Sequence, residues 1–431
     1  MSLALLIVVS ALVLELICWV GLDRTIRSLA PGRSRGPRVL WSLFMAGNVL
    51  AMVWVLLGRT VVAHPADVLP RWVLAASFLW HLIVLPLTLV LWLVASTGRG
   101  VARLIRGKLS RRVPTAPALQ APEGAQPQFM PAPAPAGATR RQFLGVAVAA
   151  APPLVTAIAT GASAVQLSRF RVRPMTLVLP QLPPDLDGMT IAHVSDIHVG
   201  RFTEGKVLRD IVEATNNLRA DLVLMTGDLI NMELSDLPAA LDAVRRMDAR
   251  SGVYLCEGNH DLIQSRSEFE RRTRASGVPL MINESMLVPV RGRQVQLLGL
   301  RWGADLPSGN RMAERGDGVI AAAMDALLPQ LRRDAEDVFP ILMAHHPHAF
   351  DPAAAAGIPL TLSGHTHGGQ LMLSPRVGFG PWMYRYWSGA YRKNDSALVV
   401  SNGVGNWFPL RIGAPAEIIH LTLRRGPSHQ A

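Results

Sequence analysis

Apolar residues run through the first hundred positions of the chain in long, nearly uninterrupted stretches. Three of them approach the length of about 20 residues that crosses a bilayer as an α-helix. These stretches are Leu3–Val20, Val39–Leu57 and Trp72–Ala95. Runs of this length with so few charges are uncommon in the buried helices of soluble domains. The pattern therefore predicts three transmembrane helices within residues 1–96.

Basic residues are distributed unevenly over the loops that join these stretches. The first loop contains five arginines and the second contains two. The third contains six basic residues, spread over positions 99–112. Because basic loops tend to remain in the cytoplasm, this asymmetry predicts an external N-terminus and a cytoplasmic third loop. Residues 97–138 make up that loop, and from Val113 to Gly137 it is rich in Pro, Ala and Gln. We interpret it as a disordered linker, since it has too few large apolar residues to fold.

A fourth apolar segment covers residues 139–167 and begins with the sequence TRRQFLG at Thr139. An arginine pair before Phe-Leu and an alanine-rich stretch resembles a twin-arginine export signal, although here it lies inside the chain. A fourth transmembrane helix with ordinary flanking arginines fits equally well. Both interpretations place the following residues on the outer face of the membrane. Ala162–Ala164 also has the small residues of a signal cleavage site.

From Phe170 onward the pattern changes to short apolar runs that end in polar clusters. Seven of these runs are predicted strands, and helical periodicity at Lys206–Asn217 and Ala239–Asp248 separates some of them. The predicted strands are Thr190–His193, Leu222–Thr226, Val253–Cys256, Val295–Leu300, Ile341–Ala344, Leu360–Leu362 and Leu398–Ser401. Alternating strands and helices predict a layered α/β domain over residues 168–431.

The net charge limits the choice of partner. The 431 residues carry a formal charge of +12, but residues 1–166 hold 15 basic and 4 acidic side chains, while the remainder holds 28 and 27. A nuclease without sequence preference needs a basic face to neutralise phosphates, and the predicted α/β domain is nearly neutral. No nucleic-acid partner is therefore expected. A mean hydropathy of +0.26 agrees with a membrane-associated chain.

Five clusters of metal-ligand residue types follow the predicted strands. A single Asp-X-His triplet or an isolated histidine would be weak evidence, but five clusters in order at strand ends form a strong signal. In chain order they are Asp196-Ile197-His198, Gly227-Asp228, Gly258-Asn259-His260-Asp261, His345-His346-Pro347 and Gly364-His365-Thr366-His367.

These clusters resemble the signature of the calcineurin-like metallophosphoesterase superfamily, over about Thr190–Leu423. Two extended segments, Asp196–Gly200 and Gly364–Gln370, further resemble a bacterial membrane-associated phosphodiesterase branch, as does Arg411 ahead of Glu417-Ile418. The resemblance implies a four-layer α/β/β/α sandwich preceded by the transmembrane helices. Together with the predicted spans and the uneven basic residues, this bacterial resemblance predicts a multi-pass protein of the inner membrane with its catalytic domain on the extracytoplasmic face.

The resemblance further implies a pair of divalent metal ions and a ligand for each position. Asp196, His198 and His367 would hold the first ion, and Asn259, His345 and His365 would hold the second. Asp228 would bridge both, which offsets the repulsion between two close cations. Nitrogen and oxygen ligands without thiolate suit Mn, Fe or Zn.

The implied reaction is phosphoester hydrolysis by a hydroxide formed when the metals lower the pKa of a bridging water to about 7. His260 would stabilise the transition state or protonate the leaving oxygen, and Asp261 would orient His260. The expected substrate is a phosphodiester of a lipid or envelope metabolite. Two alternatives are a UDP-diacylglucosamine-type pyrophosphate hydrolase, whose substrate is cytosolic, and a metal-binding membrane scaffold without turnover.

Overall fold

The computed structural model describes residues 3–29, 34–57, 68–110, 139–303, 317–332 and 338–427. Contacts divide the chain into two compact units, Met1–Gly161 and Ala162–Ala431, which we name the helical unit and the sheet unit. The predicted linker from Val113 to Gly137 lies outside the described residues.

Long helices form the described part of the helical unit. They are α1 (Leu3–Leu29), α2 (Arg35–Leu57), α3 (Arg71–Leu79), a π-helical turn (Trp80–Val84), α4 (Leu85–Ser110) and α5 (Arg140–Leu167). The unit boundary falls inside α5, so the last residues of this helix belong to the sheet unit. Helix α4 continues past Ala95, where the sequence pattern ended the third span, so the first part of the predicted linker is helical.

Among the described residues, three helical segments are long and apolar enough to cross a membrane: Arg35–Trp54, Arg71–Ile105 and Gln142–Leu167. The first two contain most of the second and third predicted spans. The third corresponds to residues 139–167, which the sequence allowed to be either an export signal or a fourth transmembrane helix. The first predicted span lies within α1. The chain is therefore a membrane protein by the length and composition of its helices.

The described residues of the sheet unit form two six-stranded sheets and a two-stranded hairpin. The first sheet has the order β1-β14-β2-β3-β4-β5, the second has the order β12-β13-β9-β8-β7-β6, and β10 pairs with β11. The strands are β1 (Arg171–Leu179), β2 (Thr190–Val194), β3 (Leu222–Thr226), β4 (Val253–Cys256), β5 (Leu280–Met281), β6 (Glu284–Val290), β7 (Arg293–Gly299), β8 (Val338–Met343), β9 (Leu360–Ser363), β10 (Met372–Ser374), β11 (Val377–Gly378), β12 (Gly389–Lys393), β13 (Ser396–Val400) and β14 (Glu417–Arg425).

Helices cover the outer faces of the two sheets. They are α6 (Gly205–Asn217), α7 (Leu237–Arg245), α8 (Arg266–Ala275), α9 (Asp317–Leu327) and α10 (Phe350–Ala355), and a short helix, α11 (Phe379–Met383), follows the hairpin. Strand β3 shows how the layers arise, because alternate side chains of a strand point to opposite faces. Leu222 and Leu224 enter the apolar core between the sheets, whereas Val223 and Met225 enter the core beneath the helices.

The expected four-layer α/β/β/α sandwich is confirmed. The seven predicted strands correspond to β2, β3, β4, β7, β8, β9 and β13. Strands β2, β3 and β4 run parallel in the first sheet, and β7, β8 and β9 run parallel in the second. Residues that follow the carboxyl ends of neighbouring parallel strands lie at one edge of their sheet, which is where the polar clusters occur.

Candidate metal centre

The first group of candidate ligands is built from the loop after β2 and the loop after β9. His198 Nε2 lies 3.0 Å from His367 Nε2. Asp196 Oδ1 lies 3.3 Å from His367 Nε2 and 3.8 Å from His198 Nε2. All three side chains are buried, and their ligand atoms can meet within 4.8 Å of one another. Two imidazole nitrogens and a carboxylate oxygen are thus close enough to bind one metal ion together.

The second group joins the two sheets. Asp228 follows β3, His345 follows β8 and His365 follows β9, and one ligand atom from each lies within 4.8 Å of the others. His345 Nε2 is 3.1 Å from Asp228 Oδ2. Asn259 Oδ1 is 2.9 Å from His365 Nδ1, which adds an amide oxygen to this group.

Asp228 connects the two groups. Its Oδ2 lies 3.5 Å from His198 Nε2 on one side and 3.1 Å from His345 Nε2 on the other. Its Oδ1 accepts a hydrogen bond from the backbone N–H of His260 at 2.8 Å, which fixes the carboxylate plane. One carboxylate therefore faces both groups of histidines.

Five of these side chains leave the backbone from an unusual conformation. Positive φ angles occur at Asp196 (53°), His198 (49°), Asp228 (55°), His365 (72°) and His367 (49°). Residues other than glycine seldom adopt this left-handed region, and where they do the surrounding structure must enforce it. Such concentration of strained backbone at one edge of the molecule is typical of a functional site.

Two glycines allow the loops to approach each other closely. A Cβ atom at Gly258 would collide with Asp228, and a Cβ atom at Gly364 would collide with Ser195 and Asp196. These glycines are therefore required for close packing of the ligand loops.

The electrostatics of the cluster are those of a cation site. Burial acts to lower the pKa of His345, but the carboxylates of Asp228 and Asp196 outweigh it and raise that pKa to about 9. Burial acts to raise the pKa of Asp196, but His367 and His345 outweigh it and hold that pKa well below its usual range. The site thus favours positive charge next to ionised carboxylates.

The residues present fit a pair of divalent metal ions. His345 Nε2 is buried, lies 3.1 Å from Asp228 Oδ2 and makes no other hydrogen bond among the described residues. A buried imidazole nitrogen that faces a carboxylate can serve as a metal ligand. The donors are carboxylate oxygens, an amide oxygen and imidazole nitrogens, a set that suits Mn, Fe or Zn.

Comparison with known proteins agrees with this geometry. Residues 189–369, which contain every candidate ligand, match the family model described as calcineurin-like phosphoesterase. The chain carries a calcineurin-like phosphoesterase domain. The fold, the order of the ligand loops and the family model all identify the same part of the molecule.

Three relatives extend the comparison. The chain is 30% identical over 262 residues to a zebrafish (Danio rerio) protein named transmembrane protein with metallophosphoesterase domain, covering 59% of this chain and 57% of that protein. Its bovine (Bos taurus) namesake is 30% identical over 256 residues, covering 57% and 55%. Phosphodiesterase YaeI of Escherichia coli is 26% identical over 240 residues, covering 54% and 81%. The chain thus spans little more than half the length of the two vertebrate relatives.

Two residues in the phosphoesterase domain were predicted to be catalytic, and the structure separates their roles. His260 borders the cluster: its ring centroid is 4.6 Å from that of His198, and its Nδ1 contacts the backbone oxygen of Asn231. Asp261 does not orient this ring, so that expectation is wrong. Its oxygens instead accept the backbone N–H groups of Gly258 at 2.9 Å and Ile230 at 3.0 Å.

The reason is geometric, because the short 3₁₀ turn that begins at His260 points successive side chains in different directions. Asp261 is buried beneath the loops, and burial together with the nearby Asp228 carboxylate raises the pKa of Asp261 to about 8. Asp261 therefore links the loop after β4 to the loop after β3 by hydrogen bonds to backbone N–H groups. It acts on His260 only through the backbone.

Arg411 is a residue of the site for which no role was predicted from the sequence. Its side chain is fully buried and its Nη2 atom lies 2.9 Å from His367 Nδ1, on the side of the ring away from the cluster. The same guanidinium donates to Asn406 Oδ1 and to the backbone oxygens of Asn402, Gly405 and Ala414. Its position 44 residues after His367 gives no sequence signal beyond the family resemblance.

Aromatic rings border the second ligand group, and the sequence did not indicate them either. The ring centroid of Trp302 lies 5.3 Å from that of His345 and 5.0 Å from that of His365. Tyr384 approaches His365 at 5.8 Å. These rings restrict the orientations that the imidazoles can adopt, which helps to preorganise the ligands.

Proposed function

We propose that this protein is a dinuclear metal-dependent phosphoesterase that hydrolyses a phosphodiester of a lipid or envelope metabolite. The observation that carries the proposal is Asp228, whose single carboxylate faces histidines of both ligand groups at 3.5 and 3.1 Å. A shared carboxylate between two ligand sets is the arrangement required to hold two close cations, because it reduces their mutual repulsion.

The proposal assigns the ligands to the two metal ions in the same way as the family resemblance implied. Asp196, His198 and His367 would hold one ion, and Asn259, His345 and His365 would hold the other. Asp228 would contact both. When bound, two divalent ions supply an acidified water as nucleophile and neutralise the phosphoryl oxygens.

His260 is the protein's own proton-transfer group in this proposal. Its Nδ1 is engaged by the backbone oxygen of Asn231, so Nδ1 carries a proton and Nε2 remains for the substrate. Asn231 thereby fixes both the tautomer and the ring orientation. A protonated His260 Nε2 would deliver a proton to the leaving oxygen as the P–O bond breaks.

The substrate class follows from the membrane helices and the charge balance. A nearly neutral domain offers no general basic face for a nucleic-acid backbone. Helices long enough to cross a bilayer support a substrate that is found in the membrane or next to it. The relative YaeI is named a phosphodiesterase, which supports a diester over a monoester.

An assay of the purified chain with added Mn²⁺, Zn²⁺ or Fe²⁺ tests the proposal. Bis-p-nitrophenyl phosphate and mixed phospholipids should be hydrolysed faster than p-nitrophenyl phosphate or single-stranded DNA. Chelation should abolish hydrolysis, and the metal should restore it. Metal-loaded protein that hydrolyses none of these would favour the scaffold alternative, and DNA as the best substrate would favour a nuclease.

The proposed topology places the sheet unit outside the cytoplasm of a bacterial cell, in the inner membrane. It rests on the basic third loop and on the apolar segment Gln142–Leu167 that follows it. A reporter active only outside the cytoplasm should work when fused after Gln166 and fail when fused near Gln120. The opposite result would reject the topology and favour a cytosolic substrate such as UDP-diacylglucosamine.

A further inference from the structure

The segment between the last metal-ligand loop and strand β12 forms a lobe with an exposed apolar surface. We name residues 371–387 the docking lobe; it contains the hairpin β10–β11, helix α11 and the loop to Trp387. Large apolar side chains are exposed along it to between 40% and 88%: Leu373, Val377, Phe379, Trp382 and Met383. A soluble surface rarely gathers so many exposed apolar residues in so short a segment unless it binds something.

The docking lobe is attached to the loop that contacts the end of a candidate membrane span. Met372 N donates to Ile412 O at 2.8 Å, and Gln370 Nε2 donates to Leu410 O at 2.7 Å. The neighbouring Arg411 N donates to Ser163 Oγ at 3.0 Å, and Ser163 lies in the last turns of α5. One short loop thus contacts both the lobe and the end of this span.

Ser163 is itself fixed in this contact. It is fully buried, and its hydroxyl donates to Pro409 O at 3.0 Å while accepting from Arg411 N. Asn406 Nδ2 also donates to Leu167 O at 3.0 Å. Of the three small residues that resembled a cleavage site, all are helical and Ser163 is buried, so the loop that contacts the lobe also contacts the last turns of α5.

The charge of the docking lobe complements an anionic bilayer. Its 17 residues include Arg376 and Arg385 and no acidic residue, and Arg385 forms an ion pair with Asp351 outside the lobe. Trp382 and Tyr384 belong to the two residue types enriched at membrane–water interfaces. Exposed apolar side chains with flanking arginines are the composition expected of a surface that inserts shallowly among anionic headgroups.

The docking lobe also borders the metal centre. The ring centroid of Tyr384 lies 5.8 Å from that of His365, and Thr366 Oγ1 donates to Trp387 O at 2.7 Å. A lobe seated on lipid would therefore hold the ligand cluster at headgroup depth. We propose that the docking lobe binds the surface of an anionic phospholipid bilayer and presents lipid phosphoesters to the metal centre. The second half of this statement rests on the proposed function.

Depth-resolved fluorescence quenching tests the docking itself. The full chain carries a solvatochromic label at Ser374→Cys, in the lobe, or at Glu213→Cys, an exposed position on α6. Both proteins are reconstituted in vesicles of phosphatidylcholine with phosphatidylglycerol that carry quenchers at known depths. We expect the label at residue 374 to be quenched by shallow quenchers and the label at residue 213 to be quenched several-fold less. Equal quenching at both positions, or none at residue 374, would overturn the proposal.

A matched pair of variants then identifies the side chains responsible. Leu373→Ser with Trp382→Ser should reduce quenching of the residue 374 label several-fold. Met286→Ser with Leu287→Ser, which changes two exposed apolar residues on strand β6, should leave it as before. Equal effects of both pairs, or no effect of the lobe pair, would contradict docking through these side chains.

Hydrolysis measured in the same vesicles separates docking from the proposed function. The lobe pair should lower the ratio of kcat/KM for a vesicle phosphodiester to that for bis-p-nitrophenyl phosphate. Quenching without hydrolysis of any vesicle lipid would support the docking lobe but reject a lipid substrate. Lipid hydrolysis without quenching would reject the docking lobe but support the proposed function.

Discussion

The two ends of strand β3 each carry a buried aspartate, and the two are stabilised differently. Asp221 precedes the strand and is 3% exposed, whereas Asp228 follows it and is 1% exposed. Asp221 receives hydrogen bonds from the backbone and hydroxyl of Thr190 at 2.8 and 3.1 Å, and ion pairs from Arg250 and Arg291 at 3.1 and 3.0 Å. The protein's own arginines neutralise this end.

Asp228 has no such arginines among the contacts that the structure describes. It accepts one backbone hydrogen bond from His260 and otherwise faces the imidazoles of His198 and His345. Because Asp228 raises the pKa of His345, an imidazole supplies in the metal-free protein the positive charge that a bound cation would supply. The comparison shows that one end of the sheet is built for stability and the opposite end for metal binding.

The largest effect is expected at the metal end. Asp228→Asn should reduce hydrolysis to background and lower the metal content to one ion or none, because one side chain serves both ligand groups. A hydrolysis assay and metal analysis of the purified variant measure both effects. Two ions per chain with near-normal turnover would reject the bridging role.

His260 should lose turnover without losing metal. His260→Asn should lower turnover about 10²–10⁴-fold, the usual contribution of a positioned acid or base, and leave two ions per chain. The loss should be smaller for p-nitrophenyl esters, whose leaving group departs without a proton, than for an alkyl phosphodiester. Equal losses on both esters would indicate electrostatic stabilisation of the phosphoryl oxygens instead. Loss of metal would make His260 a ligand, as its position beside His198 and Asp228 also allows.

Substitution of Arg411 tests whether residues that contact the metal ligands from behind affect metal affinity. Arg411→Met should weaken metal binding about 10- to 100-fold, because the buried guanidinium holds the loop behind His367 through Asn402, Gly405 and Ala414. It should also lower stability, because three backbone oxygens lose their buried donor. Arg411→Lys should recover part of both losses. Arg209→Met, at an exposed position on α6, is the control, and titration of metal into apoprotein is the measurement. Equal metal affinities in Arg411→Met and the control would remove Arg411 from the site.

The smallest effect is expected at the opposite end of β3. Asp221→Asn should lower the free energy of unfolding by about 1–3 kcal/mol through its charged hydrogen bonds, and leave metal content and turnover per folded molecule near those of the parent. Thermal unfolding with metal analysis checks both. A loss of metal comparable to that of Asp228→Asn would contradict the division between the two ends.

The stability that Asp221 confers should depend on pH in a defined direction. Burial acts to raise the pKa of Asp221, but hydrogen bonds from Thr190, Arg291 and Arg250 outweigh it and lower that pKa. Its contribution is therefore complete above the unfolded pKa of about 3.9 and is lost as pH falls through the lower folded value. Asp221→Asn should accordingly destabilise the protein at neutral pH and have a smaller effect in strong acid. An effect that is constant with pH would show that the carboxylate charge is not responsible.

Local sequence determined much of this protein. Strand β3 could be predicted because both of its faces pack into apolar cores, which makes it a continuous apolar run. The membrane spans could be predicted because length and apolarity alone decide whether a helix can cross a bilayer. The candidate ligands could be named because short motifs at strand ends contain metal-ligand residue types. The family resemblance then assigned a role to each position. These properties depend on neighbours within a few positions.

Only the tertiary structure decided which side chains meet across long distances. Ser163 contacts Arg411 from 248 residues away, and Arg411 reaches His367 from 44 residues away. The sequence placed Asp261 beside His260, but in a 3₁₀ turn adjacent side chains diverge, and the buried carboxylate instead binds two backbone amides. Such partners are selected by packing of the two sheets and their loops, because hydrogen-bond geometry depends on position in space and not on separation along the chain.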